Sequence, residues 1–392
     1  MPVESSRSVT TTLDWERNAF LSCACLLAGL GLLMVHSASM TSWPSEYERV
    51  YVTRHAVYLG LGILGATAAA RISPTRWRSL APWLYVLTWL LLLAVLVPGI
   101  GTKVNGAQRW LRWGQFSFQP SELAKLALPL YLATLAIPRD ETIGRATRSP
   151  WLVLPIAFLA PLILVEPDLG TTLFVCAGGA LTLWVVGWPL RHFLTFSAVL
   201  FPAVAAMLVL KPYQRERLMD FARMWSDWSE APYQLKQSLV TLGAGGVFGV
   251  GLGKGSQKLS FLPESNTDFV VAVIGEELGL VGTLGLLGLW GALYIAGLRL
   301  LARLPFGSFR YVAGFVLLTQ LVGQALVNIA VVTGMVPTKG IPHPLVSYGG
   351  SNLVVNLMSL GVFWSLARPG DSADWTSSEF VPSAVAEPAR SA

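Results

Sequence analysis

The sequence predicts an all-α polytopic membrane protein of about ten transmembrane helices, with one long extracytoplasmic loop between the seventh and the eighth. Three observations carry this prediction. The 392 residues are 53% hydrophobic and 13% charged, and the mean hydropathy is +0.56, more apolar surface than a water-soluble domain can hide. Apolar runs near the roughly twenty residues that a helix needs to cross a bilayer recur along most of the chain. Arginines cluster after every second run, the pattern of cytoplasmic ends.

The runs lie at about 18–39, 53–70, 80–97, 120–138, 151–165, 171–188, 192–210, 269–298, 311–333 and 351–367, the fifth and sixth being short. The first is too long for a removed signal peptide and has no small-residue cleavage site, so it reads as the first helix after a cytoplasmic tail, 1–17. Arg71, Arg76 and Arg78 follow the second run; Arg139, Arg145 and Arg148 the fourth; Arg191 the sixth; Arg299, Arg303 and Arg310 the eighth. Both termini are then cytoplasmic, and the connections after runs three, seven and nine face outward. The net charge of +6 follows from this topology and not from nucleic-acid binding. The membrane region covers 18–368, and the tail 369–392, rich in Ser, Ala, Pro and acidic residues, is expected to be disordered. Cys23, Cys25 and Cys176 sit in apolar runs without C-x-x-C spacing, and the four histidines form no H-E-x-x-H pair, which argues against a disulfide, a zinc site and a metalloprotease.

The outward connections break the charge rule. After run three, Lys103, Arg109 and Arg112 stand where short loops should be poor in cations. Two readings are open: they attract a phosphate or diphosphate, for which arginine is geometrically suited, or, interleaved with Trp110 and Trp113, they meet lipid headgroups. Run four opens Gln119-Pro120-Ser121-Glu122, a regular helix start, so Glu122 could simply compensate the helix dipole. Lys125 shares its face one turn into the apolar run, and a buried lysine needs Glu122, Glu276, Glu277 or a substrate as partner. Glu166 and Asp168, in the EPDLG turn, read as helix-start caps or, less directly, as substrate contacts.

In the long loop, about 211–268, RERLMDFARMWSDWSE puts Leu218, Phe221 and Trp225 on one face of an amphipathic helix lying on the membrane. The glycine series from Gly243 to Lys258 fails the P-loop pattern, because Gly255 fills the Ser/Thr slot after Lys254. Its amides, with Lys254 or Lys258, could still approach a lipid diphosphate. At the loop's end Asp268 meets apolar sequence, with Glu276 and Glu277 inside that sequence; carboxylates at such depth mark binding, relay or catalysis. After run nine, GMVPTKGIPHPLVSYGGSN holds three prolines and four glycines. Backbone so irregular is tolerated at membrane depth only against protein or a water-filled cavity. A re-entrant turn fits, with Lys339 as its cation and Ser347, Tyr348 and Ser351 as hydrogen-bonding groups.

Four segments, NGAQRWLRWGQFSFQPSELAK, EPDLGTT, QKLSFLPESNTDFVVAVIGEELG and PTKGIPHPLVSYGGSN, in this order over nearly the whole membrane region, resemble the SEDS family (shape, elongation, division and sporulation), the group of FtsW and RodA. The P-T-K-G run is more similar to the division branch, FtsW. His343 departs from the family, which more often has an apolar residue between the two prolines. The resemblance implies a ten-helix glycosyltransferase of the bacterial cytoplasmic membrane, at the division septum. Such an enzyme polymerises lipid II into glycan strands beside a class B penicillin-binding protein transpeptidase and other divisome proteins. By the same resemblance Asp268 matches the essential acid, and Arg109, Lys125 and Lys339 match the cations of the motifs; Glu122, Ser347 and Glu277 complete the expected substrate-binding set.

The chemistry suits these groups. A GlcNAc 4-hydroxyl attacks the anomeric carbon of MurNAc at the reducing end of the growing chain and expels undecaprenyl diphosphate. One carboxylate can take the hydroxyl proton, cations can stabilise the leaving group, and direct displacement inverts the anomeric centre. A divalent cation, Mg or Mn, could bridge the diphosphate, although the sequence contains no dedicated metal site. Two other classes are carried alongside: a lipid II flippase, because intramembrane charges and Gly/Pro-broken segments are transporter features, and a non-catalytic divisome scaffold.

Overall fold

The computed structural model describes residues 3–39, 46–104, 106–114, 116–138, 149–210, 212–256, 262, 264–338 and 340–368. Each apolar run of the sequence forms a helix: α1 (Val3–Ser39), α2 (Glu46–Arg71), α3 (Pro74–Leu96), α4 (Pro120–Ala136), α5 (Leu154–Val165), α6 (Leu169–Val185) and α7 (Leu190–Leu210) in the first part of the chain. The long loop after α7 adds two helices, α8 (Pro212–Met224) and α9 (Tyr233–Ala244), and α10 (Val270–Leu301), α11 (Phe309–Val332) and α12 (Gly350–Leu366) follow. By length and composition four segments are long and apolar enough to cross a membrane, Trp15–Ser39, Pro74–Leu96, Val270–Leu301 and Phe309–Val332; Pro150–Val165, Leu169–Val185 and Gly350–Leu366 are apolar but shorter. α1 begins well before the first apolar run, within the segment expected to be a tail.

Helix starts follow local chemistry. Ser73 accepts from the Arg76 amide at 3.4 Å ahead of Pro74, and Ser308 accepts from the Tyr311 amide at 3.2 Å, each satisfying an otherwise orphaned donor. α8 is the expected amphipathic helix, although it ends at Met224 and Trp225 lies just beyond it, edge-on to Phe221.

Two large hydrophobic cores form among the described residues, besides a small cluster of Met224, Ala231 and Leu235 in the long loop. One gathers α1, α2, α10, α11 and α12 around Leu27, Met34, Trp290 and Phe363. The other gathers α3, α4, α5 and α6 around Leu126, Leu128, Ile156 and Leu183, with Leu317 of α11 and Val362 of α12 reaching in. α11 and α12 belong to both cores and join them.

The helical fold carries one element that the sequence reading did not include. Between α3 and α4 lies an antiparallel three-stranded sheet, β1 (Gly101–Val104), β2 (Ala107–Trp113) and β3 (Phe116–Phe118), in the order β1-β2-β3. Strand β2 buries Ala107 and Leu111 while Arg112 is exposed, and the sequence between β1 and β2 is Asn-Gly, a strong hairpin dipeptide. Gly106 has the positive φ, +78°, that such a turn needs.

α10 is interrupted at Gly279, whose φ of 69° and ψ of −163° are not helical. The glycine-rich loop after α9 repairs the break. The amides of Val250 and Gly251 donate to the carbonyls of Glu276 and Glu277 at 2.9 and 3.0 Å, and the amides of Leu280 and Val281 donate to Gly246 and Val247 at 3.0 and 3.2 Å. A broken helix in an apolar setting persists only when its freed groups find such partners.

Candidate functional site

The EPDLG turn is built by its own acid and by an arginine from the sheet. Asp168 caps α6, accepting from the Thr171 amide at 3.1 Å. From β2, Arg109 donates through Nε to the Glu166 carbonyl at 2.9 Å and through Nη2 to the Pro167 carbonyl at 2.5 Å, and its Nη1 lies 3.5 Å from Asp168 Oδ2. Arg109 is therefore a clamp across the turn, a role outside the phosphate and headgroup readings, and its side chain stays 27% exposed. The Glu166 side chain is no cap. It is wholly buried, and neither carboxyl oxygen has a hydrogen-bond partner among the described residues. Burial, reinforced by Asp168 and opposed by Arg109, pushes its pKa up to about 9, so it is a neutral acid at pH 7.

One turn into α4, Lys125 Nζ sits 2.5 Å from Glu122 Oε2 and donates to Gln324 Oε1 at 2.8 Å, over the face of Phe174. Asn352 Nδ2 donates to the same Glu122 oxygen at 2.7 Å and itself accepts from Asn356 Nδ2 at 2.9 Å. Glu122 thus belongs to a buried network spanning α4, α11 and α12, and is more than a dipole-compensating residue at a helix start. Of the partners expected for Lys125, Glu122 is the one found. Glu122, Lys125, Thr171, Phe174, Gly340 and Ile341 line a small cavity.

Asp268, immediately before the Phe269 that opens α10, lies against Gly340: a methyl placed on that glycine would touch Asp268 Oδ2 at 3.4 Å. Its side chain keeps part of its surface accessible although protein crowds it on most sides. Burial, then Glu264 and Asp168, raise its pKa to about 7 against the opposing pull of Arg217. The acid's backbone is bracketed from two sides. Asn328 Nδ2 donates to the carbonyls of Asp268 and Ile341 at 2.8 and 2.9 Å, and the Tyr348 amide donates to the Asn266 carbonyl at 2.8 Å.

Other expected site residues are held elsewhere. Both oxygens of Glu277 accept from Ser37 Oγ, at 2.7 and 2.6 Å, and Oε2 also accepts from the Gly253 amide at 3.0 Å; Glu276 Oε1 accepts from the Ser256 amide at 2.8 Å. The glycine series is accordingly a cradle for the protein's own carboxylates, which corrects its reading as a diphosphate loop, and Lys254 projects into the open. Ser347 is buried and turned inward: its hydroxyl accepts from the His343 amide at 2.8 Å and its amide donates to the His343 carbonyl at 3.0 Å. That is a loop-holding role, not a cavity-facing one. Ser351 Oγ accepts from the Gln119 amide at 3.2 Å, joining α12 to the start of α4. Lys339 and Lys258 lie outside the described residues.

Sequence reasoning missed Gln324, Asn328, Asn352 and Arg217. The first two share a helix face with Gln320, four residues apart, inside an apolar run, and that polar stripe was a readable signal. Arg217, half-buried on α8, donates to the Thr338 carbonyl at 3.4 Å; nothing in its local sequence points to Asp268.

Residues 17–370 match the model of the FtsW/RodA/SpoVE family, described as cell cycle protein. The chain is 36% identical over 366 residues to a probable peptidoglycan glycosyltransferase FtsW of Coxiella burnetii, covering 91% of this chain and 98% of that one. To the protein of the same name from Hahella chejuensis it is 37% identical over 383 residues, covering 96% and 95%. Among solved structures it resembles a chain from a peptidoglycan synthase complex studied for the coordination of polymerization and crosslinking, with a TM-score of 0.70 and 32% identity over 89% of this chain and 96% of that one. It also resembles the rod shape determining protein RodA of Thermus thermophilus, with a TM-score of 0.65 and 31% identity over 89% and 95%.

Proposed function

The chain belongs to the FtsW/RodA/SpoVE family of cell cycle proteins, and from that premise we propose that it is a multi-pass membrane peptidoglycan glycosyltransferase that polymerises lipid II, with Asp268 as general base. The observation that carries the assignment of the base is the carboxylate's setting. It is part-covered and next to Gly340, which lines the Glu122–Lys125 cavity, and its pKa, raised to about 7, suits a group that must take a proton at neutral pH. The GlcNAc 4-hydroxyl gives its proton to Asp268 as its oxygen bonds to the anomeric carbon of MurNAc, and the electrons of the breaking bond leave with undecaprenyl diphosphate.

Arg109 and Lys125 are the cations proposed for the diphosphate, with Lys339 from the last loop. Arg109 has five N–H donors, and the turn's carbonyls take two of them. Lys125 would exchange part of its bond to Glu122 for a phosphate oxygen. The described residues contain no group of three or more His, Cys, Asp or Glu able to hold a metal ion; they do not fit a protein-only Mg or Mn site, and no step here uses one.

The likeness to a chain of a peptidoglycan synthase complex supports a crosslinking transpeptidase, of the class B penicillin-binding type, as partner. The proposed topology has ten spans in the cytoplasmic membrane, with the Asp268 side outward and both termini inside; the FtsW-named relatives support a place at the septum. The break in α10 favours a second reading, a lipid II flippase. Reconstitution separates the two. Purified protein given lipid II, with and without its transpeptidase, should form glycan polymer on a gel, and Asp268→Asn should not. Native-level polymer from Asp268→Asn, with contaminating polymerases blocked by moenomycin, excludes Asp268 as the base. Lipid movement without polymer from the native protein favours the flippase.

A further inference from the structure

We infer that His343 is a positioning residue for Asp268, acting through Asn328, so that the geometry of the reacting acid is set by a relay beginning at Trp290. The inference rests on the reading of Asp268 as general base. His343, Trp290 and Asn328 are all buried, at 0%, 0% and 1% exposure. The Trp290 indole Nε1–H donates to His343 Nε2 at 2.8 Å, which requires that Nε2 carry no proton. In the neutral ring the proton is then on Nδ1, which faces Asn328 Oδ1 at 3.2 Å and donates to it.

This tautomer fixes the amide. With Oδ1 turned to His343, the two hydrogens of Asn328 Nδ2 go to the carbonyls of Asp268 and Ile341, at 2.8 and 2.9 Å. Either reversal, of the tautomer or of the amide, sets donor against donor or acceptor against acceptor among buried groups, where such mismatches are costly. The ring's own backbone is pinned in turn by Ser347, whose hydroxyl accepts from the His343 amide at 2.8 Å. The relay therefore runs in one direction, from α10 through the last irregular loop to α11, and ends on the backbone of the acid. A side chain that merely filled space between α10 and α11 would need none of these bonds.

The test uses the purified full-length protein with lipid II, measuring kcat and KM. His343→Leu keeps the bulk and removes both ring bonds. It should lower kcat roughly tenfold to a hundredfold, the scale of a misplaced catalytic group, with KM for lipid II unchanged. His343→Asn returns a donor to the Nδ1 position and should recover most of that kcat. Native kcat in His343→Leu, equal losses in both variants, or a loss carried by KM overturns the inference. If His343→Leu does not accumulate in the membrane, His343→Gln replaces it. Gln can accept the indole N–H but withdraws the donor from Asn328, so kcat should fall, and native kcat overturns the inference. Asp268→Asn assayed alongside keeps the two ideas apart. Native-level polymer from it removes the base reading itself, whereas an inactive Asp268→Asn beside fully active His343 variants removes only the positioning.

Discussion

A carboxylate is a stronger base the closer its pKa lies to the working pH, and around Asp268 burial does most of the lifting, with Glu264 and Asp168 adding to it. The sign has two consequences. Below pH 7 the basic form is lost about tenfold per pH unit, so kcat/KM for polymerisation should fall with unit slope on the acid side of a pKa near 7 and level off above it. A raised pKa also means that folding favours the protonated acid, an advantage present at low pH and lost as pH rises through the folded-state value. Asp268→Asn should therefore cut turnover by about 10² to 10⁴-fold while leaving thermal stability at pH 8 equal to or above native; a lower melting temperature would contradict this. Lys125 makes the opposite case. Since it neutralises Glu122 in a buried network, Lys125→Ala strands a carboxylate and should cost about 3–5 kcal/mol of stability, whatever it does to substrate. Pairing it with Glu122→Gln should restore the melting temperature, and failure to do so would show that the charge pair is not what Lys125 supports. The sequence revealed that both residues carry charge on one helix face, one turn apart. It could not reveal Gln324 and Asn352, which arrive from distant helices.

At the scale of elements, the sequence was most readable where one periodicity ran without interruption. α11 and α12 match their apolar runs within two residues at either end, because an uninterrupted apolar helix has few alternatives in lipid. Reading failed where the period changed within a few residues. The sheet of Gly101–Phe118 alternates in twos between two helices, and its Asn-Gly turn was overshadowed by its cations. The interruption of α10 was equally hidden, since Gly279 looks like any other glycine of an apolar run until the loop packed on it is known. There the positive φ and the backbone of Val247 and Gly249 leave no room for a side chain. Gly279→Ala should destabilise the protein by at least about 1–2 kcal/mol from the left-handed backbone alone, read as a lower melting temperature and folded yield. Gly285→Ala, at a helical glycine with nothing within 4 Å of its missing methyl, should be neutral or slightly stabilising. Equal behaviour of the two would remove the glycine loop's claim to be a splint.

For the whole molecule, orientation is the property on which the proposed chemistry depends, since that proposal has lipid-linked sugars meet Asp268 from the outer side. In a background lacking Cys23, Cys25 and Cys176, cysteines at Glu230 and Met335, 54% and 70% exposed, should react with an impermeant thiol reagent in intact cells. One at Phe306, 69% exposed between α10 and α11, should react only after permeabilisation. Labelling of the Phe306 position in intact cells would invert the topology. Arginine spacing is what predicts this orientation; that α11 and α12 join two cores was not legible, because two-sided burial and lipid exposure both read as continuous apolar sequence.

The bracket that holds the acid grips main-chain atoms: Asn328 reaches the carbonyls of Asp268 and Ile341, and the amide of Tyr348 reaches the carbonyl of Asn266. Every amino acid supplies a carbonyl, so the gripped positions 266 and 341 can drift in sequence at little cost while position 328 cannot. In a saturation library selected for growth, tolerance should therefore be uneven in a way that proximity to the acid does not explain. Many residues should survive at 266, two places from Asp268, and almost none at 328, sixty places away along the chain.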